Sequence, residues 1–308
     1  MTAIPGPLQS MVFRNADLPA LFHHTDAIAI ASQREAVNTT RVQLILLVIG
    51  AMPAAVPWHL EIGDTFQLAD AIGVLAYVGV LITMYLTAQR KAKSQWQLNR
   101  SAAEFIKSMC WRYSVHGSPF DTTTHHPEAV FANRLEEGLQ ELRKVGWADP
   151  RDLTADSGGL ITDSMRELRS KAFTVRKETY VRDRLIEQRS WYRRRQEVSR
   201  RATLVWSTTI AVLAGLALVF ALLRTFSVTQ SFALTGVLSA AAAACLAWSE
   251  MRRHHPLISA HSLVEQDLEA MQVAMETTLT ERQWPRAVFE TERIVSPQHT
   301  DWLARHQM

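Results

Sequence analysis

Three histidine pairs, His23-His24, His125-His126 and His254-His255, are the side chains of this 308-residue sequence best suited to hold a metal, since imidazole is a common ligand for zinc and copper. Adjacent residues leave a helix in different directions, and His126 and His255 each precede a proline. No Cys or acidic residue stands at the spacing of a third ligand, so no metal site is expected. The two cysteines, Cys110 and Cys245, lie too far apart for a CxxC redox or zinc motif and read as inert packing residues. A P-loop, GxGxxG, GxSxG and HExxH are all absent. The expectation is a protein that is not an enzyme and needs no cofactor.

Charged and aromatic side chains at helical spacing are the stronger signal. Trp96, Arg100, Glu104, Lys107 and Trp111 follow one another at steps of four, four, three and four, which puts them on one stripe of a helix, with Arg100 and Lys107 both in reach of Glu104. Tyr180, Arg184, Gln188 and Trp191 repeat that geometry, with Tyr192 and Arg193 beside them. A solvated helix with local ion pairs is the simplest reading of such a pattern and is worth a few tenths of a kcal/mol per pair. The tryptophans argue for more. An exposed indole leaves a large apolar area in water, so the two stripes are expected to pack on each other or on neighbouring subunits.

These stripes are held between four apolar stretches. Val42 to Pro57, Ala71 to Ala88, Ala202 to Leu223 and Phe232 to Ser249 contain no Asp, Glu, Lys or Arg, and each approaches or reaches the ~17–25 residues that span a bilayer. The fold class expected is therefore an all-α membrane protein, two transmembrane helical hairpins (four spans) with long cytoplasmic helical extensions. Arg90, Lys91 and Lys93, the run Arg193 to Arg195 with Arg200 and Arg201, and Arg252 with Arg253 all flank the stalk side of these stretches, whereas Trp58 to Asp70 has no Lys or Arg. The positive-inside rule then places stalk and both termini in the cytoplasm, in a multi-pass protein of the bacterial inner membrane. The basic run beside the third span could attract a nucleotide phosphate, but anionic lipid is the simpler partner. No ionisable residue interrupts the four cores, which argues against a coupled transporter. Ala211 with Gly215 and the run Ala240 to Ala244 favour close helix association and a homo-oligomer. Thr83 with Thr87, and Thr235 with Ser239, are candidate pore-lining pairs, although such hydroxyls more often bond their own backbone.

Along the stalk, one continuous helix is expected from the second span through Tyr113. Ser114 to Phe120 and Asp152 to Gly159 read as loops suited to bind a soluble signal. Phe131, Leu135, Leu139 and Leu142 mark a short amphipathic helix closed by Gly146. A capping box at Ser164 to Glu167 opens an uninterrupted helix of ~55 Å into the third span. Residues 1–20 read as a loose arm, Leu263, Met271, Met275 and Leu279 as one face of a helix, and Pro285 and Pro297 as loosening the tail.

With the hairpin followed by Trp96, Arg100, Ala103-Glu104, Lys107 and Trp111-Arg112-Tyr113, the first half resembles one subtype of the SLATT family. These are two-transmembrane effector modules associated with nucleotide-synthesising and nucleotide-sensing domains in bacterial conflict systems. The second half, through Tyr180, Arg184, Gln188 and Trp191-Tyr192 before its own hairpin, resembles another subtype. The resemblance implies domains at 1–127 (hairpin and stalk helix), 128–160 (helical connector) and 161–308 (second stalk helix, hairpin and terminal helix). It also implies a regulated pore-forming or membrane-disrupting effector in antiviral defence, triggered by a nucleotide second messenger or a sensor protein, with no nucleic acid partner. No synthase or sensor domain is fused to the sequence, so a trigger would come from elsewhere. A non-conducting scaffold whose stalk recruits a partner is the alternative.

Overall fold

The computed structural model describes residues 11–53, 68–90, 92–152, 159–225, 234–252, 254–277 and 279–295. All regular structure among them is helical: α1 (Ala20–Ala51), α2 (Leu68–Arg90), α3 (Ala92–Ser114), α4 (Pro127–Lys144), α5 (Asp163–Ser170), α6 (Phe173–Tyr180), a π-helical segment (Val181–Ile186), α7 (Glu187–Thr225), α8 (Leu234–Arg252), α9 (His254–Thr277) and α10 (Trp284–Val295). Among the described residues, three stretches are long and apolar enough to cross a membrane: Asp70–Gln89, the apolar part of Phe173–Thr225, and Leu234–Arg252. The first apolar stretch forms the end of α1 up to Ala51, and Pro57 with Trp58 lies outside the described residues. Lys91 also lies outside them, so the continuity expected between α2 and α3 is not decided there.

The chain folds into two compact units assembled from separated segments. One takes the described residues of Met1–Ser32, Ser94–Arg195 and Ala260–Met308, and the other those of Gln33–Lys93 and Gln196–Ser259. The second unit holds the apolar spans. Where α1 and α2 approach, glycines leave room for close packing: a Cβ on Gly50 would stand 2.9 Å from the Tyr77 ring, one on Gly73 3.0 Å from Pro53, and one on Gly79 3.1 Å from Leu46. Helices in lipid associate through such close packing because burial from water drives nothing there. Gly215, by contrast, has no neighbour within 4 Å of a built Cβ.

The first unit has a packed hydrophobic core. On α4, Phe131, Leu135, Leu139 and Leu142 are all buried, as their spacing requires. Gly146 at φ 96° ends that helix: its N–H bonds Arg143 O and the Trp147 N–H bonds Leu142 O, the paired closure of a Schellman motif. Four expectations need correcting. The cap of α5 is Thr162, whose hydroxyl accepts from Met165 N, two residues before the box expected at Ser164. The long stalk helix is broken at Lys171 and Ala172, both extended, with no Gly or Pro to mark the place; the Arg176 Nε donates to the freed Lys171 carbonyl and holds the break. The arm is not loose over residues 11–18, since Phe13 is fully buried and Leu18 nearly so. On α9 the buried stripe is His261, Leu268 and Met275, seven apart, whereas Leu263 is exposed.

Candidate functional site

A row of edge-to-face rings crosses the first unit. Phe13 meets Trp111 at 4.8 Å between centroids, Trp111 meets Tyr180 at 5.7 Å, Tyr180 meets Trp284 at 5.6 Å, and Trp284 meets Phe173 at 5.6 Å. Each contact presents a positive ring edge to a negative face and adds about 0.5–1.5 kcal/mol to the area buried. The row joins α3 to α6 and α10, so Trp111 of one sequence stripe touches Tyr180 of the other.

Beside the rings lies a buried ion network. Arg184, on the π-helical segment, donates Nε to Glu292 Oε1 at 2.9 Å and Nη2 to Glu292 Oε2 at 2.7 Å, while the Tyr180 hydroxyl donates to Oε1 at 3.0 Å. The side chains of Arg184 and Glu292 are only 1% and 2% exposed, so the fork of the guanidinium meets the Glu292 carboxylate in a buried site. Burial pushes the Tyr180 phenol well above its ordinary range, and the Glu292 carboxylate adds to the shift. On α3, Glu104 pairs with Arg100, whose Nη1 also reaches Asp26 at 3.3 Å. Burial raises the Glu104 carboxyl, but Arg100, then Arg184 and Lys107, more than offset it, and the group sits below the usual carboxylate range. Two atoms are left over. Glu104 Oε2 and Arg184 Nη1 are buried without a hydrogen-bond partner, an acceptor and a donor of opposite charge in the same network.

Lys107 is 9% exposed, and burial followed by the Arg184 charge lowers it to about 8, against pulls upward from Glu104, Glu187 and Glu292. The folded value lies below the ordinary 10.5. The folded state therefore releases this proton first as pH rises, and Lys107 adds stability between about pH 8 and 10.5. The difference in melting temperature between wild type and Lys107→Met should accordingly shift in favour of wild type across that range. Parallel curves would show that Lys107 titrates as in water.

The remaining stripe residues have separate surroundings. Trp96 is partly buried on α3, and Gln188 partly buried near the start of α7. Arg112 donates Nε to Ser118 O and stacks on Phe289 at 4.7 Å; burial lowers it to about 10. The Tyr113 hydroxyl faces Glu128 at 3.4 Å, and that of Tyr192 donates to Val295 O. Trp191 is 42% exposed, with its ring edge-on to Tyr192 and His261. The loop from Ser114 to Phe120 is stitched down: Arg169 Nη1 donates to Tyr113 O and Phe120 O, Trp284 Nε1 to Val115 O, and Ser118 N to Pro285 O. Residues 153–158 of the second loop lie outside the described residues. In the other unit, Thr83 Oγ1 donates to Gly79 O and Val80 O and Thr87 Oγ1 to Thr83 O, while Thr235 is half-buried and Ser239 exposed. His23, His24, His125 and His126 are exposed, and among the described residues no three His, Cys, Asp or Glu converge.

Glu292 is the residue that the stripes did not reveal. Its signal was available, because Trp284, Val288, Thr291 and Val295, all buried, repeat at four, three and four along α10. Pro285 obscured it. In the first turn of a helix proline removes no intrahelical bond, so it starts α10 instead of breaking it.

Comparison with protein families gives two matches in tandem: SMODS and SLOG-associating 2TM effector domain 3 over residues 19–177, and SMODS and SLOG-associating 2TM effector domain 1 over residues 180–302. No curated protein and no solved structure matches the chain. The seam falls in α6 beside Tyr180, so Arg100, Glu104 and Lys107 enter the ion network from the first module and Tyr180, Arg184 and Glu292 from the second. The chain belongs to the SLATT family, as a membrane protein that carries two effector domains of the kind associated with bacterial defence systems.

Proposed function

We propose that the chain is a regulated effector that opens a pore in, or otherwise disrupts, the bacterial inner membrane, and that a cytoplasmic signal acts through the buried ion network. The observation that carries this reading is α7. A single helix runs from Glu187, three residues past Arg184, to Thr225 at the end of the most apolar described span, so the network and that span share one element of the chain. The π-helical segment that presents Arg184 supports it, since such bulges are frequent at functional sites. So do the two unpartnered atoms: a half-satisfied buried network is easily tipped into another arrangement.

Assembly as a homo-oligomer accounts for the spans. None of the apolar window of Leu234–Arg252 is buried within the chain and very little of the other two, while Ala211 and Gly215 lie open on α7. Orientation follows the Lys and Arg asymmetry, with both termini and the network cytoplasmic and position 64 periplasmic. The trigger is a nucleotide second messenger or a sensor protein.

Induced expression with the native trigger should depolarise cells in a dye-based assay. Glu104→Ala removes the carboxylate between Arg100, Lys107 and Arg184, at a cost of about 1–3 kcal/mol. It should alter depolarisation at matched membrane abundance. A wild type that never depolarises, even with its trigger, would leave the scaffold reading in its place. A monomer by detergent-corrected light scattering would remove the pore. Labelling of a cysteine at 125 by an impermeant reagent in intact cells would reverse the orientation.

A further inference from the structure

Three rings close a contact between α7 and α9 in the first unit. His261 of α9 stands 5.9 Å from the Trp191 ring and 5.4 Å from the Tyr192 ring between centroids, and those two α7 rings meet at 5.0 Å, all edge-to-face. His261 is 8% exposed, and its Nδ1 is buried without a hydrogen-bond partner. The Tyr192 hydroxyl does not serve it, being turned to Val295 O on α10. A neutral imidazole fits this place, because it can carry its proton on Nε2 and leave Nδ1 as a bare lone pair. An imidazolium does not: both nitrogens are then donors, and the Nδ1 proton has no acceptor.

The charged groups nearby add to that cost. Arg195, one turn past Trp191 on α7, repels a charge at His261, while Arg100 and Glu104 of α3 and Arg184 of the π-helical segment act on Tyr192. Glu265, four residues on along α9, stands on the same side of that helix and favours the proton. Burial first and Arg195 second nonetheless hold the imidazole below its ordinary 6.5. As pH falls through 6.5, an open ring takes its proton before the packed one does, so the packed state loses stability from there down to the lower folded value. We infer that His261 with Trp191 and Tyr192 is an acid-sensitive clasp, closed between α7 and α9 while the imidazole is neutral and released when it is protonated. Elsewhere the two helices are joined by Arg189, which pairs with Glu269 at 2.6 Å and donates to Gln272 at 3.2 Å, so release is confined to one end of the contact. The clasp is an input separate from the trigger proposed above and needs no pore.

Hydrogen exchange of the full chain in detergent, read on peptides within residues 260–266 and corrected for the intrinsic effect of pH, tests the clasp. The readout has to be local because His116, held at about 4 with its own buried Nδ1, loosens its loop over part of the same range. Between about pH 7.5 and 5.5, protection of 260–266 should fall by up to about tenfold for each pH unit that separates the open and packed midpoints. His261→Gln stays neutral throughout and should keep its protection constant. Arg195→Gln leaves the three rings in place and should raise the midpoint of the loss toward 6.5, so the clasp stays testable if His261→Gln does not fold. In protein made with fluorotryptophan, the Trp191 fluorine resonance, identified by its absence in Trp191→Phe, should shift with the same midpoint in wild type and stay fixed in His261→Gln. Constant protection in wild type, an equal loss in His261→Gln, an unmoved midpoint in Arg195→Gln, or a Trp191 resonance indifferent to pH would each overturn the clasp. None of these readouts depends on depolarisation, so the clasp and the pore fail separately.

Discussion

Glu292→Ala should cost the first unit about 3–5 kcal/mol, the penalty for leaving a buried charge without its partner. The carboxylate takes both arms of the Arg184 fork and the Tyr180 hydroxyl, and Arg184 already has one buried nitrogen without a partner. Removing it would strand a whole guanidinium at 1% exposure. Loss of the tryptophan emission shift from buried Trp111 and Trp284, followed against urea in detergent, reads the change. The paired replacement Arg184→Met with Glu292→Leu should recover most of the loss, since apolar groups of similar volume owe no desolvation there. If the single variant melts with wild type, the pair is not buried in solution.

Trp284→Ala should be of similar size, about 3–5 kcal/mol, for a different reason. This ring is 1% exposed and sits between Phe173 and Tyr180, so truncation opens a cavity in the middle of the aromatic row. It also removes the 2.7 Å bond to Val115 O and orphans that carbonyl. Trp284→Phe separates the two contributions: most of the ring volume stays, and the lost bond alone should cost about 1–3 kcal/mol. Limited proteolysis should show cleavage near residues 115–126 in Trp284→Ala well before it does in Trp284→Phe. Identical protection in all three proteins would mean that α10 does not hold that loop.

What the sequence made legible is what repeats locally. Steps of three and four identified α4 and both charged stripes, and the absence of charge identified the spans, because a helix writes its period into one stretch of chain. Features fixed by distant partners were not legible. The break at Lys171 and Ala172 carries no breaker residue and exists because Arg176 and the surrounding core hold it. Phe13 is an isolated apolar residue with no period to join, and that segment is ordered by distant contacts: its ring docks on Trp111, its N–H bonds Asp183, and the Met11 and Asp17 carbonyls accept from Thr179 and Thr162. The stripe on α9 differs in phase from an apolar count: His261 belongs to it and Leu263 does not, since a buried histidine edge-on to Tyr192 fills a place that such a count overlooks. The ion network combined both cases. Its stripes were visible, yet the counter-charge for Arg184 lies 108 residues away.

That separation has a consequence for the order in which the protein is made. Chains fold as their segments leave the ribosome, and a contact cannot form before its later partner exists. The first unit is drawn from three stretches of chain, with Glu292 in the last of them, whereas every apolar stretch has been synthesised by Ser249. The apolar helices can therefore enter the bilayer while Arg184 still lacks the Glu292 carboxylate and the aromatic row still lacks Trp284. A nascent or truncated chain ending before α10 would carry its apolar helices while its buried charges are unmatched, so translation itself passes through a state in which the core of the first unit has yet to be assembled.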